Sequence, residues 1–410
     1  MRVLFISNSS QLSGAPVALM HLVLALKDLG HECAVMFPDA KPPVYKKLKE
    51  AGIQMFTEQK YGLSIYPRCI NPYKKRKRLE KLQNRDLLLS YVGYVLDCFK
   101  PDIVHTNVGP LDFAAEVCRL RGIQHVWHLR EYQDIDSQKK ICPLKFYPSP
   151  EKFMEMIHGD WNHCIAISAG IFSHFNLRLC DRVIYDGVFD EGDIISDGQK
   201  LIQPTENAAG ETGDKYFLYA ARIEKAKGFD ILARAFRKFA AENEGWKLVV
   251  AGRPCGFYAL RWKLFCHRTL PKGSVKFLGQ SDRVAELMRG AAATVVPSRF
   301  EGFGLTVAES MLQGCTVIGR DTTGIKEQFD NGLMQTGREI GIRFGTDTTL
   351  KNSKLAEELA EKLSKVAKGL GDKELDALHA AARKVVVDNY GARRCARQVE
   401  EYYKEILAGK

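Results

Sequence analysis

No apolar run in this 410-residue chain reaches the ~18–20 residues that a bilayer span requires. The longest, residues 17–26 and 87–98, are short and broken by polar groups, as in ordinary packed helices. Paired cysteines are lacking too. The eleven cysteines are an odd number, scattered, with no CxxC, which argues against a disulfide-stapled fold and against zinc. Most lie in apolar stretches, where a thiol acts as a small hydrophobe. No low-complexity segment occurs. No GxGxxG follows the first apolar run, which excludes a dehydrogenase of the usual dinucleotide-binding kind. The opening residues 1–7 have the pattern of a strand: the apolar core is too short for a leader and no small-residue cleavage site follows. A cytoplasmic protein is expected. Acidic residues are in deficit, 49 against 60 basic ones, for a net charge of +11. Such a balance favours anionic partners: nucleic acid, acidic lipid or a phosphorylated small molecule.

What is present is alternation. A chain of this length exceeds one ordinary core, and apolar runs with the strand period recur between helical patterns in two blocks. In the first, strands are expected at 3–6, 33–37, 53–56, 103–105, 125–129, 164–168 and 182–185, with helices at 15–29 and 43–51. In the second, strands are expected at 216–220, 247–251, 275–278, 293–297 and 316–319, with helices at 228–243, 283–289 and 306–313. Strands spaced by helices imply crossover units and parallel sheets. Residues 196–214, rich in Asp, Gly, Pro, Glu, Asn and Thr, have the composition of a linker or mobile loop. The expected division is therefore 1–195, the linker 196–214, 215–390, and a C-terminal amphipathic helix within 391–410 that could return to the first domain.

The segment from Ser298 to Gly314, SRFEGFGLTVAESMLQG, leaves a strand, crosses a glycine-containing loop and enters a helix. Gly302 and Gly304 let the backbone approach a ligand closely, and the helix start offers free N–H groups to an anion. Glu301 in the loop and Glu309 a turn into the helix can serve one ligand, and a carboxylate is a natural acceptor for a vicinal diol. After the first strand of the same block come Arg222 and Lys227, two cations able to neutralise a departing diphosphate.

Arg222-x4-Lys227 followed by Glu301-x7-Glu309 resembles the signature of glycosyltransferase family 4, the retaining enzymes of GT-B fold, also called group 1 glycosyl transferases. KLVVAG at 247–252, VKFLG at 275–279, VIYDGV at 183–188 and PDIVHT at 101–106 fit the same resemblance, which covers essentially the whole chain. It implies an α/β architecture of two facing Rossmann-like doubly wound domains with an interdomain cleft. The N-terminal domain would take the acceptor and the C-terminal one the nucleotide sugar. Arg222 and Lys227 would hold the donor pyrophosphate, assisted by the backbone of Gly304, Leu305 and Thr306. Glu309 would take the ribose, and Glu301, Gly302 and Phe303 the sugar hydroxyls. The strand end at Phe277 and Leu278 would receive the base. Gly14, in the loop after the first strand, would approach the phosphates. His128, taken as the last position of its strand, would orient the sugar, with Arg130 and Glu131 as further acceptor contacts.

The implied function is transfer of a sugar from a nucleotide-sugar donor, with UDP first among nucleotides, to a hydroxyl of a glycan or lipid-linked acceptor in cell-surface polysaccharide or glycolipid synthesis. No cofactor is expected and no metal, since Arg222 and Lys227 carry the leaving-group charge; Asp134-Ile-Asp136 is taken as a chance DxD. The basic residues Lys74, Lys75, Arg76, Lys77, Arg78, Lys81 and Arg85 would suit an anionic membrane surface, placing the protein peripherally on the inner face of the cell membrane. Two alternatives stand beside this: a sugar-nucleotide epimerase of the same architecture, and a basic nucleic-acid-binding protein. Against the second, aromatics do not interleave the basic run as stacking platforms would, so no nucleic acid is expected.

Overall fold

Apolar runs of four to six residues become parallel strands because both faces of each are covered by helices. The computed structural model describes residues 1–66, 71–133, 146–190, 215–347, 349–369 and 373–409. The expected linker at 196–214 and the Asp134/Asp136 pair lie outside the described residues. The chain forms two units, residues 1–191 together with 391–410, and residues 192–390.

In the first unit the order is β1 (Arg2–Ile6), α1 (Gly14–Asp28), β2 (Glu32–Met36), α2 (Val44–Glu50), β3 (Gln54–Phe56), α3 (Pro72–Gln83) and α4 (Asp86–Phe99). It continues with β4 (Ile103–Thr106), α5 (Phe113–Arg121), β5 (Gln124–Leu129), α6 (Pro150–Ile157), β6 (Asn162–Ala166), α7 (Ala169–His174) and β7 (Arg182–Val183). The seven strands pair in parallel in the order β3-β2-β1-β4-β5-β6-β7. Two expectations change here. The strand looked for at 182–185 closes after two residues, and the first helix begins one residue early, so Gly14 stands in its first turn and not in the preceding loop.

The second unit runs β8 (Tyr216–Ala220), α8 (Phe229–Glu242), β9 (Lys247–Ala251), α9 (Gly256–Thr269), β10 (Val275–Gly279), α10 (Val284–Gly290) and β11 (Ala293–Val296). Then come α11 (Leu305–Leu312), β12 (Val317–Arg320), α12 (Thr323–Thr336), β13 (Ile342–Phe344), α13 (Asn352–Lys368) and α14 (Lys373–Asn389). Its parallel sheet has the order β10-β9-β8-β11-β12-β13. The order reverses direction between β8 and β11, as it does between β1 and β4 in the first unit. Loops leaving such a pair of strands diverge and open a crevice at the carboxyl edge of the sheet, where doubly wound folds take their ligands.

After α14 the chain returns to the first unit as α15 (Ala392–Ala408). Cys395, Ala396, Val399, Tyr402, Tyr403 and Ile406 of α15 share a core with Leu19, Val23 and Leu26 of α1. The join is pinned by Ala392 N–H donating to the Phe189 carbonyl at 2.9 Å and by an Arg182–Glu405 ion pair at 2.7 Å.

One glycine decides how tightly the second sheet's crevice closes. Gly228 ends the turn after β8 with φ +68°, and a Cβ there would lie 1.9 Å from the Pro297 carbonyl oxygen after β11. Both the dihedral and the contact exclude a side chain. Gly228→Ala is therefore expected to destabilise the second unit by roughly 3 kcal/mol or more, read as a lowered urea midpoint; an unchanged midpoint would show that the two loops are free to separate.

Candidate functional site

In the second unit, the loops after β8 and β11 meet at the reversal point of the sheet. Arg299 ties them. Its guanidinium makes a two-pronged contact with Asp230 at 2.9 and 2.8 Å, and its N–H donates to the Ala226 carbonyl at 2.8 Å. Burial would raise the Asp230 carboxyl, but bonds from Arg299 and from the Tyr258 hydroxyl (2.6 Å) outweigh it and hold it below the usual range. Behind the loop, α12 supplies a second set of supports. Thr323 Oγ1 accepts from Glu301 N–H at 2.8 Å, Gly324 N–H donates to the Glu301 carbonyl at 3.1 Å, and Gln328 Nε2 donates to the Phe303 carbonyl at 2.6 Å.

This scaffold presents the charged groups. Lys227 Nζ donates to both oxygens of Glu301 at 2.7 and 2.8 Å, and Ser298 Oγ donates to the same carboxylate at 2.7 Å. Arg222 stands farther out, exposed, and among the described residues is paired with Glu224 alone, at 3.0 Å. Gly304, at φ +95°, forms the N-cap of α11 with no side-chain cap, so the N–H groups at Leu305 and Thr306 begin a helix whose positive end opens on the crevice. Glu309 lies one turn farther along α11. Its carboxyl is half-buried, has no hydrogen-bond or ion-pair partner among the described residues, and loss of hydration pushes its pKa up to about 7. At the far side of β8, β10 carries a bulge: Phe277 pairs with Val250 and Gly279 with Ala251, leaving Leu278 out of the ladder.

The structure thus brings Lys227, Glu301 and the α11 N-terminus together. It does not place the Phe303 ring with them. That ring is buried and packs edge-on against Tyr390 at 4.9 Å, so the expected contact of Phe303 with sugar hydroxyls is corrected to one that only its main chain could make. Asp230, Ser298, Arg299, Thr323 and Gln328 were not singled out from sequence. Their partners lie up to 122 residues away along the chain, and no local pattern marks them.

In the first unit, His128 is not the last position of β5, which extends to Leu129, and its ring is buried. Arg130, expected as an acceptor contact, is instead a buried ion-pair partner of Asp186 that also donates from Nε to Asn107 at 2.9 Å. His125 is a satisfied core residue, bonded to Thr106 at 2.8 Å and Asn162 at 2.6 Å. His128 differs. Its Nδ1 lies 3.3 Å from Arg130 Nη2 and 3.1 Å from His105 Nε2, whose own Nδ1 is 2.6 Å from the Tyr403 hydroxyl. Arg130 can only donate, so His128 Nδ1 accepts and the ring proton sits on Nε2. His105 then donates through Nε2 and accepts from Tyr403. The outcome is a neutral His128 whose buried Nε2–H has no partner among the described residues. Burial, then the Arg130 charge, holds both rings well below the ordinary histidine range. Gly14 is exposed in the first turn of α1, whose N-cap Ser13 makes no side-chain cap.

The basic residues of 74–81 lie on α3, which has no buried residue. Arg85 does not belong with them. It is turned onto Asp112 at 2.7 Å and Glu116 at 3.0 Å, so it is corrected from the exposed basic face to a structural ion pair.

Comparison with known proteins adds to this geometry. Residues 204–385 match the family of glycosyl transferases group 1. This part of the chain is similar to a group 1 glycosyl transferase domain. It carries Arg222, Lys227, Asp230, Arg299, Glu301 and Glu309. A 178-residue segment is 30% identical to an uncharacterized glycosyltransferase of Methanocaldococcus jannaschii, covering 42% of this chain and 45% of that one. A 200-residue segment is 25% identical to N-acetyl-alpha-D-glucosaminyl L-malate synthase of Bacillus anthracis, covering 47% and 46%. The chain thus spans less than half the length of these relatives. Among solved structures, HepE of Anabaena with UDP and glucose superposes with a TM-score of 0.72 at 18% identity, covering 99% of this chain and 100% of HepE. WaaG, a glycosyltransferase of lipopolysaccharide biosynthesis, gives 0.65 at 13% over the full length of both. The fold is GT-B, with two Rossmann-like units in one chain.

Two measurements check the electrostatics. A carboxyl whose folded pKa is raised to about 7 destabilises the fold as pH climbs from the unfolded value through 7. Glu309→Gln should therefore be more stable than the parent at pH 8 by ~1–3 kcal/mol and nearly equal to it at pH 5; equal urea midpoints at pH 8 would mean that Glu309 is well hydrated. Nitrogen-15 spectra of histidine-labelled protein at pH 6 should show His105 and His128 neutral and protonated at Nε2. A charged ring or an Nδ1–H tautomer at His128 would break the derived relay.

Proposed function

We propose that the chain is a retaining glycosyltransferase of family 4. It would move a sugar from a nucleotide-sugar donor, UDP-linked in the first instance, to a hydroxyl of a glycan or lipid-linked acceptor in cell-surface polysaccharide or glycolipid synthesis. The observation that carries this is the meeting of Lys227, Glu301 and the uncapped α11 N-terminus at the reversal point of the second sheet, within the group 1 domain. HepE, with the same fold, was solved with UDP and with UDP-glucose, which supports UDP as the nucleotide to try first.

Each residue then has a chemical task. The donor diphosphate takes the positive end of α11 and the ammonium of Lys227, whose third N–H is not used by Glu301; Arg222, exposed and paired with Glu224, swings onto it. As the glycosidic C–O bond breaks, these cations stabilise the charge on the leaving diphosphate, and the reaction needs no metal. Glu301 receives three hydrogen bonds, which makes it a weak nucleophile but leaves lone pairs for sugar hydroxyls. Its muted nucleophilicity favours attack by the acceptor hydroxyl on the face the diphosphate leaves, with a phosphate oxygen taking the proton. Ionised Glu309 accepts from the ribose diol, and the unladdered backbone at Leu278 and its neighbour Phe277 receives the base. In the first unit, Gly14 offers main-chain N–H to phosphate, and the preset Nε2–H of His128 is a donor suited to a sugar oxygen. The exposed cations of α3 suit an anionic bilayer carrying the acceptor, which corresponds to a cytoplasmic enzyme docked on the inner face of the cell membrane.

Thermal unfolding with UDP-, GDP- and ADP-sugars tests this. A donor at a hundred times its dissociation constant adds ~2.7 kcal/mol to the fold. One nucleotide class should stabilise the parent chain, Glu309→Ala should lose the effect, and Lys227→Ala should slow sugar transfer by roughly 10²–10³-fold. Stabilisation by none of the three classes would remove the basis for transferase activity.

A further inference from the structure

Helix α9 has two apolar faces. Ala259, Trp262 and Cys266 are buried in the core of the second unit. Phe257, Leu260 and Leu264 repeat the same i, i+3, i+7 spacing, about 160° around the helix at 100° per residue. These three are 84%, 55% and 45% exposed. A surface helix ordinarily has a single apolar stripe, turned toward its own core. A second stripe of three large side chains facing water differs from the scattered apolar singles found on every surface.

What borders the stripe selects its partner. Residues 245–281 contain seven Lys or Arg and no Asp or Glu. Around α9, Arg261 and Arg268 lie along one side of the stripe and Lys263 and His267 along the other. Arg253 and Lys272 stand just beyond its ends. Arg253, Arg261, Arg268 and Lys272 are exposed, and none is in an ion pair among the described residues. The core of a protein–protein contact is depleted in Lys. A nucleic acid would use the cations but gains nothing from Leu260 and Leu264, which offer no face for a base to stack on. A bilayer uses both features, since apolar side chains enter the acyl boundary while flanking cations meet acidic headgroups.

We propose that the outward face of α9 is a docking surface for an anionic phospholipid bilayer, with Phe257, Leu260 and Leu264 entering the acyl boundary and Arg261 and Arg268 on the headgroups. This contact lies on the second unit, separate from α3, and does not depend on the nucleotide-sugar reading.

Sedimentation with vesicles tests it, using phosphatidylcholine alone and phosphatidylcholine with about a third phosphatidylglycerol. The parent chain should bind the acidic vesicles. The triple variant Phe257→Ser, Leu260→Ser, Leu264→Ser should bind them at least ~10-fold more weakly, with its thermal unfolding unchanged because all three side chains are exposed. Arg261→Gln with Arg268→Gln should lose roughly fivefold per charge. The indole fluorescence of a Phe257→Trp variant should shift to the blue on acidic vesicles, and should still do so when the cations of α3 are replaced by Gln. The proposal is overturned if the parent does not bind, if the triple variant binds as the parent does, or if the emission of the Phe257→Trp variant stays unshifted. It is equally overturned if the parent self-associates and the triple variant is monomeric, for then a second copy covers the stripe. Loss of nucleotide-sugar binding with vesicle binding intact would count against the proposed reaction and leave this surface standing.

Discussion

The two-pronged contact of Arg299 with Asp230 is the constraint on which the candidate site rests. Sheet topology sends the loops after β8 and β11 away from each other, and without a tie their charged side chains would have no common geometry. Arg299 belongs to one loop and Asp230 to the helix that follows the other. Both are largely withdrawn from water, so either alone would be an uncompensated charge, and removal of one partner costs several kcal/mol where the pair itself adds little net stability. Its value lies in specificity of position. With the loops joined, Lys227 reaches both oxygens of Glu301, and the close approach of Gly228 to Pro297 leaves no room for an alternative register.

Charge is deployed differently in three places. In the crevice of the second unit, cation and carboxylate are already paired, so an incoming anion exchanges partners instead of meeting bare charge. Glu309 is the exception: a half-buried carboxyl without a partner among the described residues, whose burial reduces the stability of the fold and which gains when a donor of hydrogen bonds arrives. On α3 and α9, apart from Arg76 paired with Glu80, the cations have no acidic partner among the described residues, the state in which they act at range on a charged surface. The net charge of +11 is the sum of these arrangements and by itself distinguishes none of them.

The histidine chain of the first unit shows how a donor-only group sets a tautomer from a distance. Arg130 is held by Asp186 and Asn107, His128 must then accept at Nδ1, and His105 must donate to it. Tyr403, from a helix that rejoins this unit at the end of the chain, completes the series. Low dielectric strengthens each bond and keeps both rings neutral. The terminal helix is therefore part of the polar interior as well as of the apolar core it shares with α1.

The alternation of parallel strands and helices was legible in the sequence because strands buried on both faces read as short apolar runs, and turn residues punctuate them. Helices α5, α6, α7, α9 and α12 were not singled out, and α3, with no buried residue, has no apolar period to detect. Residue types at the candidate site were legible where a local motif carries them, as in Glu301-Gly-Phe-Gly304 or Arg222 to Lys227. Whether a side chain in such a motif faces a ligand or the core was not: Phe303 turns inward onto Tyr390 and Arg85 onto Asp112. The sequence by itself determined the class of fold and which charged groups stand at strand ends, because backbone periodicity and turn chemistry act over a few residues. Only the tertiary structure decided which of them meet. The partners of Arg299, Glu301, His128 and the second apolar face of α9 depend on how helices pack around a sheet, and that packing couples positions tens to hundreds of residues apart.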